Sequence, residues 1–431
     1  MIFSQADENE CIFEIRMLKG YEYRIYPTDT QKILLSKHLG CVRFLYNHML
    51  SWKMNLYAAG KYSIDTYEMI NEIPYMKDDV DFSWLREVNS QSLQAVLLHL
   101  DKAFNNFFKG LSKFPVFKSK RDEGKFEIPC NTSVDFDSGL VRIPKFKEGI
   151  RAVFHRQFIG KIKKSTIKRK PSGKYFISIL VDDGKELPVK PEPTEDTAIG
   201  IDVGIKTYLV DSNHKEIANT RILLMNIVRL RKLSRSFSRK LKKHKKGTPL
   251  SKNAEKTKLK LQLLHERVAN QRKDFLHQTS SNLIRDNQTI CIEDLDIKEM
   301  LQNHNLAKHI QDLALGMFFE FLCYKADWKG KNILKCDQFD PTSKTCSVCD
   351  WIYQELTLGE RTWICKCCGT NHERDYNAAV NIKRFAFAAL RRLLGQNRNT
   401  QFKPVSNGNP LGSSAGSQSA RTNEATEYSS Q

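Results

Sequence analysis

Two pairs of cysteines constrain this chain more than any other feature. Cys346-Ser-Val-Cys349 and Cys365-Lys-Cys-Cys368 repeat C-x2-C with fifteen residues between them. That is the spacing of a four-thiolate zinc ribbon, in which two tight turns each present two sulfurs to one tetrahedral ion. Gly369 follows the second pair, where such a turn favours left-handed backbone. Asp350 takes the matching place after the first pair, a workable but less favourable choice. Cys367 is a spare thiol, and its use with Cys365 in a C-x-C pair is the minor alternative. A closed thiolate shell leaves no open position, so one Zn2+ bound by Cys346, Cys349, Cys365 and Cys368 would be structural. A redox dithiol is disfavoured because no thioredoxin-like βαβ pattern surrounds the pairs. The other six cysteines (Cys11, Cys41, Cys130, Cys291, Cys323 and Cys336) are scattered along a chain of 431 residues. A secreted disulfide scaffold would be short and evenly cysteine-dense, so an intracellular location is expected. The polar, acidic start Met1 to Glu10 is no signal peptide. No run approaches the ~18 consecutive apolar residues of a membrane helix.

Charge narrows the partners. Lys and Arg number 69 against 49 Asp and Glu, a net +20, which suits a polyanion whose counterions are released on binding. The surplus is concentrated. Positions 221 to 273 hold eighteen Lys and Arg but only Glu255 and Glu266. A solvated charged helix face would mix the two signs, whereas a phosphate-facing one need not. Arg231, Lys232, Arg235, Arg239, Lys240, Lys242, Lys243 and Arg272 are therefore candidate nucleic-acid contacts, on two helices broken at Gly247-Thr-Pro249.

The organisation follows from patterning. Residues 1–18 read as a ragged leader, and Gly20 to Tyr26 as a strand closed by Pro27. Thr28 and Gln31 have the spacing of a capping box, and apolar residues then recur at helical intervals. A further helix is expected from about Asn89 and Ser90, so 28–113 reads as a helical bundle whose aromatic stripe is core. Residues 19–27 with 114–187 read as short strands at ~8–12-residue spacing, a small barrel beginning at Phe114-Pro-Val-Phe. Lys118 and Lys120 make it a candidate nucleic-acid surface. A Pro- and Glu-rich linker at 188–196 leads to a new domain that starts at about Thr197. The Ser-, Asn- and Gly-rich stretch 397–431 is expected to be a disordered tail.

Three acids stand out. Asp202 interrupts the buried-strand pattern Ala198-Ile-Gly-Ile-Asp-Val-Gly204, between glycines that permit close approach. Glu293 ends the apolar run Thr289-Ile-Cys-Ile292, and Asp375 opens the helix that carries Asn377-Ala-Ala-Val-Asn-Ile382. Singly, each has an ordinary reading as a turn residue, a surface acid or an N-cap. Together, two at strand ends and one at a helix start suit a carboxylate cage for two Mg2+ ions, which stabilise the attacking and leaving oxygens of a phosphodiester displacement. Asp294 ranks below Glu293 because strand alternation points it away, and Asp296 ranks below it as well.

Gly200-Ile-Asp-Val-Gly204, Ile292-Glu-Asp-Leu295 and the ribbon running into His372-Glu-Arg-Asp-Tyr-Asn-Ala-Ala-Val-Asn-Ile382 resemble the TnpB family. These are OrfB-type proteins of bacterial and archaeal insertion sequences, related to type V CRISPR effectors. Arg43-Phe-Leu-Tyr-Asn47, Phe114-Pro-Val-Phe-Lys-Ser-Lys120 and Arg272-Lys-Asp-Phe-Leu-His277 extend the resemblance over about 18–395. It implies an α/β, RNase H-like (RuvC) nuclease domain over 197–340 and 371–396 with an inserted four-cysteine zinc ribbon at 341–370, an N-terminal wedge-like β-barrel and a helical recognition bundle. Asp202, Glu293 and Asp375 would be catalytic Mg2+ ligands, with Arg374 beside them among the nucleic-acid contacts. The implied activity is RNA-guided cleavage of double-stranded DNA in the prokaryotic cytoplasm, at the nucleoid. Pairing with a guide RNA would read the sequence, and the protein a short adjacent motif. Two departures, Glu373 for the family's usual Asp and Asp350 for its usual Gly, touch no catalytic acid. The competing functions are a transposase or recombinase acting directly on element ends, and a guide-RNA-dependent regulator that binds DNA without cutting.

Overall fold

A computed structural model of the chain describes residues 16–60, 64–120, 124–245, 247–357 and 359–399. The expected tail from residue 400 onward and the leader up to residue 15 lie outside the described residues. Strand β1 (Arg16–Tyr26) begins before Gly20, and Leu18 of the expected leader already pairs with Asp182. After Pro27, Thr28 caps helix α1 (Asp29–Ala58), and the capping box with Gln31 is complete. Helix α2 (Thr66–Asp78) has the same device in Asp65 and Glu68, and α3 (Ser90–Phe108) is capped by Asn89. The stretch 114–120, expected to start the β region, is irregular: Pro115 has no N–H to donate, and Asn47 of α1 binds both the N–H and the carbonyl of Lys118.

Strands β2 (Gly124–Ile128), β3 (Ser133–Asp135), β4 (Leu140–Ile143), β5 (Phe146–Val153), β6 (Lys161–Arg169) and β7 (Tyr175–Glu186) follow. Among the described residues they form with β1 one antiparallel sheet of order β2-β6-β7-β1-β5-β4-β3. The outer strands β2 and β3 do not pair with each other, so the expected barrel is an open half-barrel. Leu45, Met49, Leu93 and Leu97 of the helices share one core with Ile167, Ile177 and Ile179 of the sheet, and His38 of α1 stacks on Phe126 of β2 at 5.0 Å.

The second half begins with β8 (Ala198–Val203), β9 (Thr207–Asp211) and β10 (Glu216–Ala218), an antiparallel meander. Helices α4 (Ile222–Lys242) and α5 (Lys252–Asp286), broken at Gly247 as the sequence predicts, lead to β11 (Thr289–Glu293). Then come α6 (Ile297–Met300), α7 (Ala307–Leu313), α8 (Leu315–Lys329), β12 (Asn332–Cys336), the hairpin β13 (Thr362–Ile364) and β14 (Asn371–Glu373), and α9 (Arg374–Asn399). The described sheet has the order β10-β9-β8-β11-β12, with β11 parallel to both neighbours. Ile199, Ile201, Ile290 and Ile292 face α5 and α8, while Ala198 and Cys291 face Ile382, Ala386 and Phe387 of α9. Gly200 lets α9 settle on the sheet: a Cβ there would lie 2.0 Å from the carbonyl oxygen of Ala379. No helix among the described residues is long and apolar enough to cross a membrane.

Candidate carboxylate site and four-cysteine centre

The period of two along a strand decides which acids meet. Asp202 lies two residues beyond Gly200, and Glu293 two beyond Cys291, so both point to the side of the sheet that α9 covers. Helix α9 begins directly after β14 and brings Asp375 to the same place in its first turn. All three acids are partly buried. Burial pushes the Asp202 carboxyl up to about 8, the charges of Glu293 and Asp375 add to the rise, and Arg374 opposes it. Burial also raises Glu293, against the hydroxyl of Thr342, which donates to its Oε1 at 2.5 Å. Asp375 accepts both bonds of an Arg361 guanidinium, at 3.0 and 3.3 Å. Asp294 turns outward to Lys335 at 2.8 Å, and Asp296 caps α6. The carboxylates feel one another, yet they form an open cage. Among the described residues only the four cysteines gather their ligand atoms within 4.8 Å. Three carboxylates whose negative charge Arg361 and Arg374 offset only in part offer the hard oxygen donors that suit a divalent cation.

Those four cysteines are Cys346, Cys349, Cys365 and Cys368. The Sγ atoms of Cys346 and Cys368 are 3.6 Å apart, and those of Cys349 and Cys365 are 3.5 Å apart. A tetrahedral ion with bonds of about 2.3 Å separates its sulfurs by about 3.8 Å, so the cluster fits one structural metal ion. Asp350 (φ 64°) and Gly369 (φ 72°) both adopt the left-handed turn expected of them. Cys367 is exposed and outside the cluster. The Thr370 hydroxyl, 3.2 Å from Cys368 Sγ, helps hold that thiol down at about 6. Buried His372 places Nε2 3.0 Å from Cys346 Sγ. Thr342 and Arg361 were not singled out in the sequence, and His372, Asn377 and Asn381 stood there only within the family motif, with no role of their own. The one local signal for any of them is the pair Asn377 and Asn381, polar residues one turn apart in an otherwise apolar helical run.

The basic candidates divide by geometry. Arg231, Lys232, Arg235, Arg239 and Lys242 line one shallow groove on α4 with Ser234 and Ser238. None of the five has an ion-pair partner among the described residues, and Lys243 is exposed beside them. Lys120 is exposed as well, while the Lys118 ammonium lies 3.7 Å from the Tyr46 ring centre. Others turn inward. Lys240 ties α4 to α5 through Asn253 and Thr257, and Arg272 pairs with buried Asp312 at 3.0 Å, which also accepts the N–H of Leu223. Arg374 reaches the Thr357 carbonyl at 3.1 Å, beside the acids.

This fold has solved counterparts. A Cas12f1–sgRNA–target DNA complex contains a chain that matches with a TM-score of 0.51 at 13 % identity, over 85 % of this chain and 99 % of that one. The family profile described as "Probable transposase" matches residues 177–304, and "Cas12f1-like, TNB domain" matches 316–382. A "Helix-turn-helix domain" profile matches 17–62, where the structure has β1 followed by the single long helix α1. A Streptomyces pristinaespiralis protein described as "Putative RNA-guided DNA endonuclease" is 33 % identical over 86 % of this chain and 90 % of its own length. "Putative RNA-guided DNA endonuclease InsQ" of Escherichia coli is 27 % identical over 87 % and 94 %. The chain belongs to the TnpB/OrfB family of IS605-type elements.

Proposed function

We propose that this chain is an RNA-guided, Mg2+-dependent DNA endonuclease that hydrolyses phosphodiester bonds at Asp202, Glu293 and Asp375. The observation that carries the reading is the convergence of those three acids: burial pushes the Asp202 carboxyl up to about 8, and the nearby charges of Glu293 and Asp375 add to the rise. The sheet order, an antiparallel meander followed by two parallel strands with α9 across it, supports an RNase H-like (RuvC) reading of 197–340 with 371–396. When bound, two Mg2+ ions supply charge to the attacking and leaving oxygens of the phosphodiester.

The chain's own groups do the rest. Asp202 and Glu293 hold ligand oxygens from the rigid sheet, and Asp375 offers a third from α9. The carboxyl of Asp202 must lose its proton before it can ligate, so loading is favoured as pH rises toward 8. Arg361 and Arg374 offset the carboxylate charge on the side where a polyanionic strand arrives. The open groove of α4 presents guanidinium and ammonium groups without acids to compete, which suits phosphates along an RNA or DNA backbone. One Zn2+ on the four cysteines serves the fold and takes no part in the chemistry.

The test is cleavage of a target duplex by protein purified with its co-expressed element RNA. Cleavage should require Mg2+ and that RNA, and it should vanish in Asp202→Ala while DNA binding persists. Cleavage that survives Asp202→Ala would overturn the assignment of the site, and cleavage without RNA the guided mechanism. Strand transfer on supplied element ends without RNA would instead favour a transposase.

A further inference from the structure

We propose that Thr342, Asn377 and Asn381 are positioning residues that splice the four-cysteine ribbon to the carboxylate site, so that closure of the first cysteine turn sets the Glu293 carboxylate. The inference deepens the reading above and rests on Glu293 being a metal ligand. Its starting point is a pair of fully buried amides. Asn377 and Asn381 lie one turn apart on α9, each without solvent exposure, and a buried primary amide is costly unless its bonds are made inside the protein.

Apart from Asn381 Oδ1, which is buried without a partner among the described residues, those bonds go to one short segment. Asn377 donates through Nδ2 to the carbonyl of Thr345 at 2.8 Å and accepts the N–H of Ser347 at 3.0 Å. Ser347 lies inside the first cysteine turn, between Cys346 and Cys349. Asn381 donates through Nδ2 to the carbonyls of Thr342 and Thr345, at 2.8 and 2.6 Å. Two side chains of α9 therefore grip the backbone from 342 to 347. At the near end of that segment, buried Thr342 turns its hydroxyl to Glu293 Oε1 at 2.5 Å. Glu293 Oε2 takes part in no hydrogen bond among the described residues and is left for a ligated ion. The same helix carries Asp375. One path of hydrogen bonds thus runs from the cysteine turn through α9 and Thr342 to a carboxylate that comes from a different strand.

Partners in this position orient a ligand, and losing one typically costs about 10–100-fold in metal affinity. The probe is Mn2+, a paramagnetic stand-in for Mg2+, titrated into the zinc-loaded full chain and read by electron paramagnetic resonance. Thr342→Val keeps the shape and removes the donor, and Thr342→Ser restores the donor. Thr342→Val should weaken Mn2+ binding about 10–100-fold with zinc content and melting midpoint close to wild type, and Thr342→Ser should bind as wild type does. Stripping zinc with a mercurial thiol reagent should weaken Mn2+ binding in the wild type and add little in Thr342→Val, because the path is already cut. Wild-type affinity in Thr342→Val, no rescue by Thr342→Ser, or fully additive losses would each overturn the proposal. Asp202→Ala separates it from the reading it rests on. If Mn2+ binding survives Asp202→Ala, the carboxylate site itself is wrong. If Asp202→Ala abolishes binding and Thr342→Val leaves it intact, only the positioning role falls.

Discussion

Replacing Asp202 with Asn should stabilise the chain when no divalent ion fills the carboxylate site. The ordinary pKa of 3.8 is raised to about 8 by burial and by the charges of Glu293 and Asp375. At pH 7 the chain therefore folds only by taking up a proton that the unfolded chain has lost. At about 1.4 kcal/mol per tenfold change in proton affinity, that uptake costs about 4 kcal/mol. Asp202 keeps some contact with solvent, and screening reduces the expected gain from Asp202→Asn to roughly 2 kcal/mol. In this half of the chain that corresponds to about 4–8 °C in the melting midpoint. The sign fixes the pH window. Below about pH 4 both states carry the proton and the variants should melt alike; as pH rises to 8 the wild type should fall progressively behind. Scanning calorimetry on zinc-loaded protein, in buffer without added divalent ions and without chelator, reads this directly. Added Mn2+ should then raise the wild type and leave Asp202→Asn unmoved. An Asp202→Asn variant that melts at or below wild type at pH 7 would refute the idea that burial and like charge strain this carboxyl.

Three further outcomes follow from single contacts. Gly200→Ala puts a Cβ 2.0 Å from the Ala379 carbonyl and 2.8 Å from the Lys383 nitrogen, backbone atoms that cannot swing aside. It should cost more than the ~1–3 kcal/mol of ordinary overpacking, and hydrogen exchange should show α9 losing protection; an intact α9 would contradict the docking described. Arg361→Ala frees Asp375 from a partly exposed ion pair, a contact worth at most about 1 kcal/mol, so Mn2+ affinity should tighten by up to about fivefold, and unchanged or weaker binding would argue that Arg361 does not compete for that carboxylate. Converting Arg231, Arg235 and Arg239 to Glu should weaken binding of the co-purified RNA or of duplex DNA, and lower the slope of log affinity against log salt by about 2–3. An unchanged slope for both would remove the α4 groove from the interface.

How far the sequence could be read depended on how local each signal was. The cysteine turns, the left-handed Asp350 and the Thr28 capping box are written within a few residues, and the structure has all three. Strand alternation is nearly as local. It turns Asp294 away from Glu293 and puts Asp202 and Glu293 on one face, whereas Asp375 reaches that face only because α9 packs across the sheet. Sheet closure is not local, because whether β2 meets β3 depends on the curvature of all the strands between them, and here the sheet stays open. Charge is local in type but not in use. Arg272 and Arg235 look alike in the sequence, yet Asp312, forty residues further on, draws one inward while the other faces solvent. The same reasoning separates the ribbon's two roles. Its clustered cysteines declare themselves by spacing, whereas its hold on the acids passes through Thr342 to Glu293, 49 residues apart, and through Arg361 to Asp375 across the hairpin. Two amides one turn apart in the apolar run 377–382 of α9 were the trace of that hold. A helix that only packed would have no use for them, so their burial called for polar partners on whatever α9 covers, and the backbone leading into the first cysteine turn supplies all but the one for Asn381 Oδ1.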